Sequence, residues 1–197
     1  MKYKDSNGDG LIDENDRQFA GSPIPKLTYG FTGNLKFKQF DLSVFFQGAY
    51  GNKLYNQVAT DIEGFYRAFN ITERIATGSW TGEGTTNEFP RLTWSSASST
   101  NNKRPSTRFL EDGSYLRLKN LQVGYTLSPK VLSALKIASM RIYASGQNLL
   151  TFTKYTGLDP EIYTSSNGQG DGVRAVGIDW GTYPSARIYT LGLNLNF

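Results

Sequence analysis

The stretch that decides the fold is Arg187-Ile188-Tyr189-Thr190-Leu191-Gly192-Leu193-Asn194-Leu195-Asn196-Phe197. Its apolar residues share one face of an extended strand, while its threonine, glycine and asparagines share the other. The apolar row continues to the last residue, where chain ends are usually frayed and polar. The opposite face carries small amides instead of the Lys and Glu of a soluble surface. This pattern predicts a strand of a membrane β-barrel, with one side towards lipid and one towards a lumen. A soluble half-buried edge strand also alternates in this way.

The apolar row also has the form of an assembly signal. A terminal aromatic residue preceded by apolar residues at every second position resembles the signal by which the barrel-assembly machinery recognises its clients. We therefore expect that machinery to be a partner, and the recognised row to be Tyr189, Leu191, Leu193, Leu195 and Phe197.

Composition excludes several classes of protein. The 197 residues include no Cys and no His, which removes disulfides, thiolate metal sites and the commonest general base. No apolar run approaches the roughly 18 residues that a membrane helix needs. The net charge of +4 is spread along the chain without a concentrated basic face, so we expect no nucleic-acid partner. No apolar signal region follows Met1, and we expect the chain to be the tail of a longer protein or the product of a broken gene.

The sharpest local motif is an acidic loop near the start of the chain, from Asp5 to Asp16. It matches D-x-[DN]-x-[DN]-G followed by an aliphatic residue, as in a calcium loop, with Gly10 at the sharp turn. The twelfth position is Asp16, where an EF-hand has Glu, and no apolar helix precedes the loop. The hypothesis is a structural Ca²⁺ site, and the alternative is a surface turn that binds nothing. The expected ligands are Asp5, Asn7, Asp9, Leu11 (by its carbonyl), Asp13 and Asp16.

Strands with one apolar face recur along the chain. The stretch 26–50 predicts a hairpin, with Lys38-Gln39 as a tight turn between two apolar stripes on the same side. Further strands are expected at 115–127 and 137–150. In the first of these, Tyr115, Arg117 and Lys119 are expected to continue the apolar face beyond the membrane. In the second, Arg141, Tyr143 and Gln147 line the opposite side, as possible cargo contacts or as a structural ladder.

Two long segments interrupt the strands. Residues 51–106 contain apolar spacings of three and four, which predict short helices. Long loops of outer-membrane barrels face outside, so we expect both segments on the extracellular side. Trp80 and Trp94 are expected to cover the loop's own small core, with stacking on a ligand as the alternative. The acidic residues of the second segment have no ligand spacing and are interpreted as solvated carboxylates: Asp159, Glu161, Asp171 and Asp179.

Several phrases, in this order, resemble the C-terminal part of the SusC/RagA family of TonB-dependent outer-membrane transporters. They span nearly the whole chain and co-occur in the family's order. The phrases are Asp5–Asp16, Tyr29–Tyr50 with Gly51-Asn52, Pro90-Arg91, Gly113-Ser114-Tyr115-Leu116-Arg117-Leu118-Lys119-Asn120, Gly124-Tyr125-Thr126-Leu127, Gly146-Gln147-Asn148-Leu149, Tyr155-Thr156-Gly157-Leu158-Asp159-Pro160-Glu161 and Tyr183-Pro184 through Phe197.

The resemblance implies an all-β fold, the C-terminal antiparallel strands of a transmembrane β-barrel with long extracellular loops. We expect a partial barrel of about five to six strands, against about 22 in a plugged transporter. Because such a sheet leaves its edges unpaired, we expect it neither to close nor to transport alone. The expected order is an acidic calcium-loop-like extracellular segment 1–25, a hairpin 26–50, a long loop with short helices 51–106, strands 107–150, a second long loop 151–184 and a terminal strand 185–197.

The same resemblance implies import of oligosaccharides or peptides across the cell outer membrane, beside a SusD-like surface lipoprotein. Energy would come from TonB acting on a plug that is absent from this chain, and outer-membrane lipid would surround the wall. The chain departs from the family's full pattern because it has no TonB box, plug or early strands. An enzyme is not expected, since no carboxylate pair shares a strand face. The alternative is a secreted, calcium-braced β-sandwich that binds glycans.

Overall fold

The computed structural model describes residues 3–64, 70–86, 88–92, 104–135, 137–162 and 176–196. The strands are β1 (Leu27–Phe37), β2 (Phe40–Tyr50), β3 (Lys53–Asn56), β4 (Leu110–Asp112), β5 (Tyr115–Thr126), β6 (Ser139–Thr153), β7 (Ile178–Asp179) and β8 (Ile188–Asn196). The helices are α1 (Gln57–Glu63), α2 (Glu73–Gly78) and α3 (Pro129–Leu135), with single 3₁₀ turns at Glu14–Asp16 and Thr107–Phe109. In the described part of the chain, no helix is long and apolar enough to cross a membrane.

The chain divides into two compact units. The first comprises residues 1–23, 53–111 and 162–182, and the second comprises 24–52, 112–161 and 183–197. The second unit contains the antiparallel strands that the sequence predicts. The first gathers the acidic loop and most of the two long interruptions.

The second unit is built on a five-stranded sheet in the order β1-β2-β5-β6-β8. All its pairs are antiparallel, and β1 pairs with β2 over their full lengths, from Leu27 opposite Tyr50 to Phe37 opposite Phe40. The tight turn between them has Lys38 at φ 53°, in the left-handed region that few residues other than glycine adopt. The predicted hairpin is confirmed, turn included. Within the described residues, β1 and β8 each pair on one side only, so the sheet has two open edges.

The first unit contains a small sheet that the sequence pattern did not predict. Its order is β4-β3-β7, with β3 and β7 parallel. Leu54, Ile75 and Phe109 form its buried apolar core. The predicted short helices are present as α1 and α2. Asn56 begins α1 by accepting the N–H of Ala59 at 2.8 Å, as an N-cap residue does. Among the described residues of 51–106, the strand β3 is the difference from the prediction, which had no strand there.

Candidate functional site

The five-stranded sheet presents one face made of apolar residues and glycine. Pairing aligns these residues strand by strand, so their side chains stand side by side across the sheet. Most of them are exposed, Leu191 to 85% and Tyr189 to 74%. The face consists of Leu27, Tyr29, Phe31, Gly33, Leu35 and Phe37 on β1, Phe40, Leu42, Val44, Phe46, Gly48 and Tyr50 on β2, Leu116, Leu118, Leu121, Val123 and Tyr125 on β5, Met140, Ile142, Ala144, Gly146, Leu150 and Phe152 on β6, and Tyr189, Leu191, Leu193 and Leu195 on β8.

The predicted assembly signal occupies the β8 edge of this apolar face. Tyr189, Leu191, Leu193 and Leu195 lie opposite Gly146, Ala144, Ile142 and Met140 of β6. Their shared face is therefore as the sequence predicts. Phe197, the last residue of the signal, lies outside the described residues. Recognition by the assembly machinery stays a prediction.

The opposite face of the sheet is polar and carries an ion pair between β2 and β6, the two strands that flank β5. Arg141 on β6 donates two hydrogen bonds to the carboxylate of Asp41 on β2, at 2.9 and 2.5 Å. The pair spans β5 at Gly124, where a Cβ would overlap both side chains. The Arg141 guanidinium also lies 5.0 Å from the ring of Tyr143, which covers Gly192 on β8. These contacts favour the structural ladder for Arg141 and Tyr143.

A bulge at Lys119 changes which residues of β5 belong to each face. Leu118 and Asn120 pair with the adjacent residues Phe46 and Phe45 of β2, which leaves Lys119 outside the ladder. The apolar face therefore passes from Leu121 to Leu118. Tyr115 and Arg117 turn to the polar face, and both are buried. The prediction that Tyr115, Arg117 and Lys119 continue the apolar face is wrong, because the extra residue shifts the alternation by one.

The buried Arg117 meets two carboxylates from the segment after β6. Its guanidinium donates to Asp159 at 2.5 Å and to Glu161 at 2.9 Å, while Lys119 lies 2.7 Å from Glu161. The Arg117 side chain is 3% exposed and that of Asp159 5%. The interpretation of Asp159 and Glu161 as solvated carboxylates is therefore wrong. The two cations, Arg117 and Lys119, are thus paired with the two anions, Asp159 and Glu161. Each of these four charged groups has a partner within the cluster.

Asp159 ties three parts of the second unit together. Besides Arg117 on β5, it accepts the N–H of Glu161 at 2.9 Å and that of Ser185, just before β8, at 3.0 Å. Burial acts to raise the pKa of Asp159. The Arg117 guanidinium and the two N–H groups outweigh burial and hold that pKa below its ordinary value. The carboxylate is thus kept ionised by its partners.

Two further carboxylates of the first unit are buried, and each has hydrogen-bond or ion-pair partners. Asp179 is 1% exposed and accepts the N–H groups of Gly181 and Thr182, so it too is not a solvated carboxylate. Glu63 is paired with Arg74 and Arg108, a cluster that no sequence pattern predicted. Asp171 lies outside the described residues.

Of the two tryptophans in the first long segment, the described one is Trp80. It is half-buried, and its backbone N–H donates to the backbone carbonyl of Phe89 at 3.2 Å. Its neighbour Ser79 forms an isolated parallel bridge with the same Phe89. Trp94 lies outside the described residues.

The carboxylates of the acidic loop accept hydrogen bonds from backbone N–H groups of the same loop. The carboxylate of Asp5 accepts from Gly8 at 2.6 Å and from Gly10 at 2.8 Å, and Asp9 accepts from Leu11 at 2.8 Å. Gly8 and Gly10 have φ of 79° and 80°, as the predicted sharp turn requires.

The C-terminal end of the same loop closes back on its start. Asp16 accepts the N–H groups of Ser6 at 2.6 Å and Asp13 at 2.9 Å, and these bonds hold the pKa of Asp16 below its ordinary value. The donors are hard oxygens, which suit calcium. Among the described residues, however, no three acidic side chains stand together in the arrangement of a metal site.

Comparison with known proteins relates this whole stretch to one group. Over 196 residues the chain is 38% identical to TonB-dependent receptor P3 of Formosa agariphila, covering 99% of the chain and 19% of that protein. Over 205 residues it is 28% identical to TonB-dependent receptor SusC of Bacteroides thetaiotaomicron, covering 99% and 17%. The structure of the RagAB peptide transporter superposes with a TM-score of 0.76 at 25% identity, covering 95% of this chain and 19% of that one.

The matches cover nearly all of this chain but only a small part of each relative. The chain spans about a fifth of the length of the curated relatives it matches. No protein-family model matches it. Both relatives are named TonB-dependent receptors.

Proposed function

The chain is a SusC/RagA-like portion of a TonB-dependent transporter, and from this premise we propose that it supplies barrel wall and extracellular loops to an outer-membrane importer. The five-stranded sheet of the second unit is the wall. The first unit, with the acidic loop and the small sheet, is the loop region. The cargo is an oligosaccharide or a peptide, too large for simple porins.

The observation that carries this proposal is the continuous apolar face of the sheet. Exposed rows of Leu, Phe and Tyr on five neighbouring strands would be unfavourable in water, where large apolar patches are rare on monomers. The length of β1 also fits a membrane. Its 11 residues extend about 33 Å, and at a tilt of about 40° they rise about 25 Å. That is the height of the apolar band of an outer-membrane barrel.

The polar face then lines the lumen. A charged pair such as Asp41–Arg141 is costly in lipid but acceptable against water or a plug. The two open edges of the sheet, at β1 and β8, require further strands, because unpaired N–H and C=O groups are not tolerated in a bilayer. The full-length transporter supplies those strands, and this stretch neither closes nor transports alone.

The partners of the importer follow from the same kinship. One structural relative is described as a peptide transporter, RagAB, and one sequence relative is SusC. We infer a SusD-like surface lipoprotein over the loops, TonB acting through a plug outside this stretch, and delivery by the barrel-assembly machinery through the Tyr189–Phe197 row. Competitive uptake of labelled peptides and oligosaccharides by cells with and without the gene would separate the two cargo classes.

The test of the wall uses single cysteines on adjacent residues of β8. This chain contains no Cys, so each introduced residue can be labelled without removing others in this stretch. Nitroxides at Leu191 and Leu193 of the full-length protein in membranes should be accessible to oxygen dissolved in lipid. Those at the matched positions Thr190 and Asn194 should meet a water-soluble nickel reagent. Equal aqueous access at all four positions would reject the wall and favour the soluble glycan-binding sandwich.

We further propose that the acidic loop binds Ca²⁺ as a structural brace. The support is the donor chemistry of Asp5–Asp16 and the glycine turns that are already formed. Isothermal titration of the full-length protein should detect calcium uptake, and Asp9→Ala should abolish it. Replacing the exposed Glu14, which is not among the expected ligands, by Gln is the matched control. No heat of calcium binding by the unmodified protein would dispose of this proposal.

A further inference from the structure

In the first unit, two arginines share one buried carboxylate. Glu63, the last residue of α1, has a side chain that is 5% exposed. Arg74 on α2 donates to its Oε1 through Nε, at 2.7 Å, and also through Nη2. Arg108 lies 3.5 Å from the other oxygen, Oε2, which is the longest ion-pair contact among the described residues. Two positive charges therefore face one negative charge, and Arg108 has the weaker share of it.

The charge of Arg108 is poorly compensated. Its side chain is 17% exposed, and its Nη1 is buried with no hydrogen-bond partner in the described part of the chain. Burial lowers the pKa of Arg108, and the neighbouring Arg74 adds to this effect, although Glu63 opposes it. The other carboxylate of α2, Glu73, is exposed and takes part in none of the ion pairs of the described residues. The cluster thus keeps a surplus of positive charge, which is costly where it is buried.

Arg74 presents that surplus to the solvent in a fixed orientation. Its side chain is 52% exposed, and its guanidinium lies 5.8 Å from the centre of the Phe89 ring, which Arg108 approaches to 5.7 Å. A guanidinium has five N–H donors in a planar fork. Glu63 occupies the edge made by Nε and Nη2, and the second edge, made by Nη1 and Nη2, has no partner among the residues that the structure describes.

We propose that this second edge of Arg74 binds a carboxylate of the cargo. The two oxygens of a carboxylate match the two parallel N–H groups of the edge. Arg108 contributes its charge from a more buried position and does not touch the ligand. The carboxylate belongs either to a peptide or to a uronic acid of an oligosaccharide, the two cargo classes of the importer. The role in import rests on the proposed function, in which the first unit is the loop region.

The experiment is isothermal titration of the full-length protein with two matched pairs of probes. The first pair is an alanine-rich peptide with a free C-terminus and the same peptide with a C-terminal amide. The second is tetragalacturonic acid and its methyl ester. In at least one pair the carboxylate form should bind about tenfold more tightly, the effect of one hydrogen bond to a charged group. The pair that shows this preference identifies the source of the carboxylate.

Variants of Arg74 test whether the preference comes from this cluster. Arg74→Gln should abolish it. Arg74→Lys keeps a positive charge beside Glu63, which preserves the fold, but it has no second planar edge and should keep only part of the preference. Arg17→Gln is the matched control, because Arg17 is an exposed arginine of the same unit that pairs with the exposed Glu14. It should leave the preference unchanged.

Two results would overturn the site. One is that neither carboxylate probe binds the unmodified protein more tightly than its neutral form, and the other is that Arg74→Gln behaves as Arg17→Gln does. Both differ from failure of the importer. If the nitroxides on β8 report lipid while charged and neutral probes bind alike, the importer stands and the site falls. If the nitroxides report water while the probes differ, the site stands and its role in import falls.

Discussion

The substitution Asp159→Asn tests whether one buried carboxylate holds the start of the second long loop on the sheet. It removes the charge that faces Arg117 but keeps the shape of the side chain and one carbonyl oxygen. Asp159 joins Arg117 of β5 to Glu161 of its own segment and to Ser185 before β8. Weakening these contacts of Asp159 should therefore make the segment 155–162 open more often as a unit.

The expected loss of stability in Asp159→Asn follows from the burial of the Arg117–Asp159 pair. Neither side chain of the Arg117–Asp159 pair is more than 5% exposed, so solvent screens it little. Removing one partner of a buried pair costs about 3–5 kcal/mol. Arg117 retains Glu161 and the hydroxyl of Thr151, both at 2.9 Å, so the lower end applies. About 3 kcal/mol corresponds to roughly a hundredfold change in the equilibrium between closed and opened segment.

Hydrogen exchange measured by mass spectrometry on the full-length protein in membranes is the assay. Amides of 155–162, and that of Ser185, should exchange roughly a hundredfold faster in Asp159→Asn. Asp41→Asn disrupts an ion pair at the other end of the sheet, where the side chains are 24% and 31% exposed, and should leave this segment unchanged. Exchange within threefold of the unmodified protein would refute the view that the buried pair holds the loop.

Three further predictions concern charge and packing. The pKa of Asp159 lies below its ordinary 3.8, so its stabilising contribution is complete above about pH 4 and is lost as pH falls through the folded-state pKa. After correction for intrinsic exchange rates, acid should therefore speed hydrogen exchange in the segment 155–162. The acceleration should be smaller in Asp159→Asn, which lacks this carboxylate. In the proposed barrel wall, Leu193→Lys on the side assigned to lipid should cost about 2–4 kcal/mol and reduce the amount of heat-modifiable full-length protein. Asn194→Lys, on the side assigned to the lumen, should leave that amount unchanged. Gly192→Val should cost about 1–3 kcal/mol in denaturant unfolding, because its side chain overlaps the Tyr143 ring, and Tyr143→Ala in the same chain should restore part of the loss.

The strands could be predicted from the sequence, and so could their faces except in β5 before the bulge at Lys119. The hairpin 26–50, the strands after residues 115 and 137, and the terminal strand appear within a few residues of the expected bounds. Alternation in each strand assigns Leu191 to the apolar face and Thr190 to the polar face without knowledge of any neighbour. The resemblance to the SusC/RagA family adds the expectation that these strands belong to a larger antiparallel barrel.

The contacts of the charged residues could not be predicted in this way. Arg117 and Asp159 are 42 residues apart, and Arg141 and Asp41 are 100 apart. Nothing in the local pattern of either partner indicates the other. The small sheet of the first unit was missed for the same reason, since β7 has two residues and, in the part of the chain that the structure describes, pairs with the distant β3.

The sequence by itself determined that this protein has long strands with one apolar side, because a period of two follows from backbone geometry within each strand. Only the tertiary structure decided where that period shifts, at the bulge of Lys119, and so on which side Arg117 stands. The register between strands, and the partner that makes a buried charge tolerable, depend on residues far apart in the chain. Those relations exist only once the sheet has formed.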